Sequence, residues 1–174
     1  NAGRRDADAL GGVDLPSRRV AIALGSNLGD RRAAILFAAE RLATVISSLT
    51  LSDLVETEPE GVPDAADQPN YLNAVLVVDT TLDARELLDL LLEIERERGR
   101  ERLYAGAPRT LDLDLLMVGD EVIDEPGLQL PHPRFRERFF VLGPMAEVAP
   151  DFRDPVTGLR VGELLRRLLR DESR

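Results

Sequence analysis

Between Pro108 and Gly119 the chain reads PRTLDLDLLMVG, a stretch that leaves the backbone little choice. Leu111, Leu113 and Leu115 alternate with Asp112 and Asp114. Side chains alternate across an extended strand, so the leucines share one face and the two carboxylates the other, roughly 6.5–7 Å apart at the backbone. The apolar face has to be covered, which commits the chain to a sheet with a core against it. The opposite face carries adjacent like charges, which repel unless something cationic sits between them. Mg²⁺ takes carboxylate oxygens and keeps other positions for water and phosphates. The pair therefore reads as a metal seat; a solvated acidic face is the plainer alternative.

The rest of the chain alternates between period-two and period-3.6 segments. RVAIALGSN is expected to be a strand, with Asp30 capping a helix over RRAAILFAAERLATV. LTLSDLVET and YLNAVLVVDTT read as further strands, separated by the Pro-, Gly- and Asp-rich EPEGVPDAADQPN. DARELLDLLLEIERERGR predicts a helix, with Asp83 and Glu86 spaced as a capping box and Leu87, Leu88, Leu91, Leu92 and Ile94 as its buried stripe. After the aspartate strand, GDEV suggests a hairpin to a short strand EVID. The segment from Pro131 to Pro150 is expected to hold a short helix or turn, an extended piece at 140–142 and a second short helix. VGELLRRLLRD closes the chain as an amphipathic helix. This mixture predicts an α+β fold with a largely antiparallel sheet flanked by helices. One domain is expected over residues 18–172, behind a polar, aperiodic and flexible extension at 1–17.

Composition narrows the function classes. The formal charge of −10 argues against nucleic-acid binding, which ordinarily needs a basic surface. A small anionic substrate remains compatible, because local arginines or a metal can reverse the sign inside one cleft. There is no cysteine, so disulfides and thiolate metal sites are excluded. No apolar run approaches the roughly 20 residues that cross a bilayer. A soluble, cytoplasmic protein without a membrane or nucleic-acid partner is expected, and no oligomer is implied.

Three other stretches could carry chemistry. LGSNLGD fits a strand-to-helix turn; it matches neither GxGxxG nor a lysine-bearing phosphate loop. In QPNYLNA, Tyr71 and Asn73 share a strand face, where a ring can stack on a flat heterocycle and an amide can read its edge. LPHPRFRERFFVL holds His132, the only histidine, beside Arg134, Arg136 and Arg138, which suits phosphate oxygens. All 22 basic residues are arginine, so any fixed cation in a site is a guanidinium.

Taken together and in this order, LGSNLGD, QPNYLNA, the GR at 99–100, PRTLDLDLL, LPHPRF and RFFVL resemble the 6-hydroxymethyl-7,8-dihydropterin pyrophosphokinases. The likeness runs from about Arg19 to Arg170. It implies a ferredoxin-like fold and a role in folate biosynthesis, with pyrophosphate passing from ATP to the pterin alcohol and AMP released. It further implies two Mg²⁺ ions on Asp112 and Asp114, and a pterin held between Tyr71 and Phe140 with Asn73 and Thr57 at its edges. Arg100 and Arg109 match catalytic arginines that also contact ATP; His132 and Arg138 match triphosphate contacts, and Glu95 an acidic position on the ATP side. Family members carry Trp-Gly just before Pro-Arg-Thr, in a loop that closes over the substrates. Here Gly106 and Ala107 stand there, Leu103 is near the place of a loop lysine, and Tyr104 is the one bulky ring nearby. Glu58 and Glu60 stand where apolar residues are usual beside the pterin loop. A different metal-dependent phosphoryl or nucleotidyl transferase, or a non-catalytic module of the same fold, stays open on sequence alone.

Overall fold

The computed structural model describes residues 16–59, 68–99 and 110–173. Arg100 and Arg109, together with Glu60 and the 101–107 loop, lie outside the described residues, as do residues 1–15. Strand β1 (Arg18–Ser26) leads through the Asp30 cap into helix α1 (Arg31–Ala43); the Asp30 carboxylate accepts the Ala33 amide at 3.0 Å. Then come β2 (Ser48–Leu51), β3 (Val55–Thr57), β4 (Tyr71–Thr80), α2 (Ala84–Glu97) and β5 (Asp112–Val118). The capping box of α2 forms as its spacing predicts, with Glu86 N donating to Asp83 at 2.8 Å.

The sheet runs β2-β4-β1-β5 with every adjacent pair antiparallel, and β3 also pairs with β4. Taking β2 and β3 as one interrupted strand, this is the βαββαβ order of a ferredoxin-like sheet. LTLSDLVET was expected to be continuous; it breaks at Ser52, whose hydroxyl accepts the Val75 amide at 2.9 Å in place of a ladder bond. Central strands β1 and β4 are apolar on both faces because both faces are covered. Val20, Ile22, Leu24, Leu76 and Val78 meet α1 and α2 through Ile35, Leu42, Leu87, Leu91 and Ile94.

The opposite face carries the C-terminal third. A separate hairpin of β6 (Ile123–Glu125) and β7 (Leu128–Leu130) follows β5, so EVID pairs forward with LQL rather than back with the aspartate strand. A 3-10 turn (Phe135–Glu137) precedes α3 (Phe139–Val148), and α4 (Val161–Glu172) closes the layer. The extended piece expected at 140–142 is helical. Val141, Leu142 and Met145 form a stripe that packs with Phe135, Phe152, Val161 and Leu164 into a second core. The Val141 and Leu142 amides bond to Arg138 O, so packing on the sheet overrides the β preference of Phe-Phe-Val. A bulge in β5 completes this core. Ala21 pairs with Met117 and Ile22 with Leu115, which leaves Leu116 extra and turns both Leu116 and Met117 to the second face. Among the described residues no helix is long and apolar enough to cross a membrane.

Candidate functional site

The register of three strands builds the site. Gly25 lies opposite Asn73 on one side and Asp112 on the other; Ala23 lies between Val75 and Asp114. β1 alternates large residues toward the helical core (Val20, Ile22, Leu24) with small ones, Ala21, Ala23 and Gly25, on the other face. The small ones leave a trough. Strand β4 walls it with Tyr71 and Asn73, and β5 with Asp112 and Asp114. A Cβ on Gly25 would come within 3.3 Å of Asn73 Oδ1 and 3.7 Å of Tyr71 Cδ1, so a side chain there would crowd the Asn73 amide on the floor. The cavity of about 750 Å³ is also lined by Thr57, His132, Arg134, Arg138, Phe139 and Phe140, within the range of small-molecule sites.

The pterin-side residues expected from sequence are brought together. Asn73 Nδ2 donates to Thr57 Oγ1 at 2.6 Å, while its Oδ1 faces the Gly25 floor. Tyr71 and Phe140 line the same cavity from β4 and from the first turn of α3. Arg138, at the cap of α3, has its guanidinium carbon 5.7 Å from the Phe140 ring centroid. The second aromatic therefore comes from a helix N-terminus and not from an extended segment.

His132 follows a cis Leu130–Pro131 bond, and its backbone N–H donates to Leu116 O at 2.8 Å. Its Nδ1 accepts the Arg134 amide at 3.2 Å, so in the neutral ring the proton sits on Nε2. Burial, with Arg138 and Arg134 close by, holds its pKa below the ordinary 6.5, against a smaller opposing pull from Asp112. A neutral Nε2–H donor results near pH 7. His132 and Asp114 also line a second cavity of about 630 Å³, which runs over Leu88, Leu113, Leu115 and the β6–β7 turn. This pair lines both cavities.

Of the arginine run, Arg134 and Arg138 face the first cavity, whereas Arg136 is held elsewhere. Its guanidinium forms a two-pronged bond to fully buried Asp154, at 2.5 and 2.9 Å. Glu95 is 2 % exposed, and its Oε2 accepts the Leu113 amide at 3.2 Å. It supports the strand between the two aspartates and is not among the side chains lining either cavity. The Gly25 floor went unread in LGSN, although the period-two run Ala21, Ala23, Gly25 is its visible signal. Glu172 of α4 reaches the cavity rim with no local signal at all.

The donor set suits a hard divalent cation. Two carboxylates line one side of an open cleft, and among the described residues no cluster of three metal-ligating side chains exists. Such a seat leaves coordination sites for water and phosphate oxygens, the usual arrangement for Mg²⁺. A stacking wall, an amide edge, a carboxylate pair and a basic corner can together hold a flat heterocycle against a metal-bound polyphosphate.

Comparison with known proteins gives the family. The family model for 7,8-dihydro-6-hydroxymethylpterin-pyrophosphokinase matches residues 21–150. The 2-amino-4-hydroxy-6-hydroxymethyldihydropteridine pyrophosphokinase of Pseudomonas aeruginosa is 44 % identical over 151 residues, covering 85 % of this chain and 90 % of that protein. Its counterpart in Bacillus subtilis is 40 % identical over 140 residues, 78 % of this chain and 81 % of that one. Among solved structures, wild-type HPPK-DHPS of Plasmodium falciparum superposes with a TM-score of 0.66 at 14 % identity, a likeness of fold. It spans 87 % of this chain and 45 % of the larger protein.

Proposed function

The chain belongs to the 7,8-dihydro-6-hydroxymethylpterin pyrophosphokinase family, and from that footing we propose that it is a cytoplasmic enzyme of folate biosynthesis that moves pyrophosphate from ATP to 6-hydroxymethyl-7,8-dihydropterin. The hydroxymethyl oxygen forms a bond to the β-phosphorus, the bond from that phosphorus to the α-phosphate's bridging oxygen breaks, and AMP leaves. The hydroxyl proton passes to solvent or to a nearby base.

One observation carries this reading: a heterocycle wall and a carboxylate pair face each other across a single glycine. Tyr71 and Phe140 would hold the pterin ring, with Asn73 and Thr57 at its edge. Asp112 and Asp114 would hold Mg²⁺, two ions in this reading, which when bound neutralises and clamps the triphosphate. His132 Nε2–H and the Arg138 guanidinium would bind phosphate oxygens from the opposite corner. The second cavity, which shares Asp114 and His132 with the lining of the first, has leucines along it suited to the adenine. Arg100 and Arg109 complete the arginine clamp on the reacting phosphates, and Glu95 acts on the ATP side by holding the aspartate strand. Transfers of this kind need positioning and charge neutralisation more than covalent help.

The test is a product assay. Incubated with ATP, Mg²⁺ and the pterin alcohol, the protein should release AMP in step with pterin diphosphate. ADP instead would indicate single-phosphoryl transfer, and no turnover would leave a binding module.

A further inference from the structure

The LGSNLGD stretch has no assigned task beyond its floor glycine, yet Ser26 and Asn27 are fully buried. Asn27 Nδ2 donates to Gln68 Oε1 at 3.2 Å and to Pro69 O at 3.3 Å. Four residues on, Arg31 donates to Asn70 O at 2.9 Å and pairs with Glu56 at 2.7 Å. Pro69 and Asn70 are the two residues that enter β4 ahead of Tyr71. Glu56 sits in β3 immediately before Thr57. The segment leaving β1 thus grips both strands of the heterocycle wall just where that wall begins.

Neither Asn27 nor Arg31 lines the cavity. From these contacts we infer that Asn27 and Arg31 are positioning residues for the pterin wall, setting Tyr71, Asn73 and Thr57 relative to the Asp112–Asp114 seat. The inference rests on the pterin reading above. Its physical basis is that Pro69 and Asn70 present carbonyls that these side chains satisfy, and that the fully buried Asn27 amide also meets Gln68 in a buried bond. Without the grip, the entry to β4 can shift against β1. A misplacement of about 1 Å can cost up to about a hundredfold in rate where reacting groups are aligned this closely. The grip lies on the β4 side of β1, so the phosphate corner on the other side, His132 with Asp114, keeps its own supports.

Steady-state kinetics of the full chain separates this role from a merely structural one. Asn27→Ala should raise KM for the pterin alcohol by about tenfold or more, and Arg31→Met by about threefold, while KM for ATP stays within about twofold. Arg31→Lys, which keeps a donor for the Asn70 carbonyl, should recover most of the loss. Arg31 is partly exposed, so if Asn27→Ala does not fold, the Arg31 pair decides alone. An unchanged pterin KM, or pterin and ATP KM rising together, overturns the positioning role. Absence of AMP from the wild-type chain would instead overturn the reaction assigned above, and the inference with it.

Discussion

At the scale of single residues, the site sets two carboxylates against two rings. Asp112→Asn and Asp114→Asn should each lower AMP release by at least about a hundredfold, the scale of several kcal/mol of metal-derived stabilisation. Their thermal midpoints without Mg²⁺ should stay level or rise, because each change relieves repulsion between neighbours on one strand face. Near-normal rates in both variants would remove the metal seat from the mechanism. For the rings, Tyr71→Ala and Phe140→Ala should each weaken pterin binding by about 1–3 kcal/mol through lost burial and stacking. Calorimetry should find ATP affinity far less altered; equal losses for the two ligands would refute the clamp. The Asp112, Asp114, Tyr71 and Asn73 faces were legible because a strand's period of two is local. Phe140 was found by resemblance, while its helical setting came from Val141, Leu142 and Met145 packing on the second core.

At the scale of elements, β5 ends the sheet order and, among the described residues, has one strand neighbour within the main sheet. Its outer groups are met by other means: Glu95 accepts the Leu113 amide and the His132 amide donates to Leu116 O. These bonds hold the strand at the aspartates and at the bulge just beyond them. Glu95→Gln keeps an acceptor for the Leu113 amide and should leave hydrogen exchange at Leu113 little changed. Glu95→Leu leaves that amide unmet and should cost about 1–3 kcal/mol of stability. It should also speed hydrogen exchange at Leu113 and raise the Mg²⁺ concentration needed for half-maximal rate. Unchanged exchange at Leu113 would show that the bond does not hold the strand. Helical spacing placed Glu95 next to the stripe of α2, but nothing in that spacing said which strand it would meet.

At the scale of the whole molecule, the layer over the second sheet face carries His132, Arg138 and Phe140, and Asp154 ties it together. Burial by itself would raise the Asp154 pKa. Arg136, the Thr157 hydroxyl and the Val156 amide outweigh it and hold the carboxyl below its ordinary value near 3.8. A depressed carboxyl pKa adds stability that is present above the unfolded value and is lost as pH falls through the folded one. Asp154→Asn should therefore lower stability by about 2–3 kcal/mol at pH 7, less than for a fully buried pair because Arg136 is 27 % exposed. The gap from wild type should begin to narrow below about pH 4, where the unfolded chain's carboxyl takes up its proton, and close as pH falls through the lower native value. Denaturant midpoints at pH 7 and pH 3 measure it; a gap of constant size would show that the charge is not what matters.

The local code of this chain settled what depends on neighbours a few residues apart. Alternation put both aspartates on one strand face, the caps at Asp30 and Asp83 started their helices, and the leucine stripe of α2 set its buried side. Non-local pairing decided the rest. The forward pairing of EVID with LQL, the break at Ser52 and the β5 bulge depend on partners far along the chain or on the second core. Arg136 and Arg138 look alike in sequence, yet buried Asp154, 18 residues from Arg136, takes one guanidinium, while the other lines the cavity. A residue's period is written in its own segment, but its partner is chosen by the packing of segments that the sequence keeps apart.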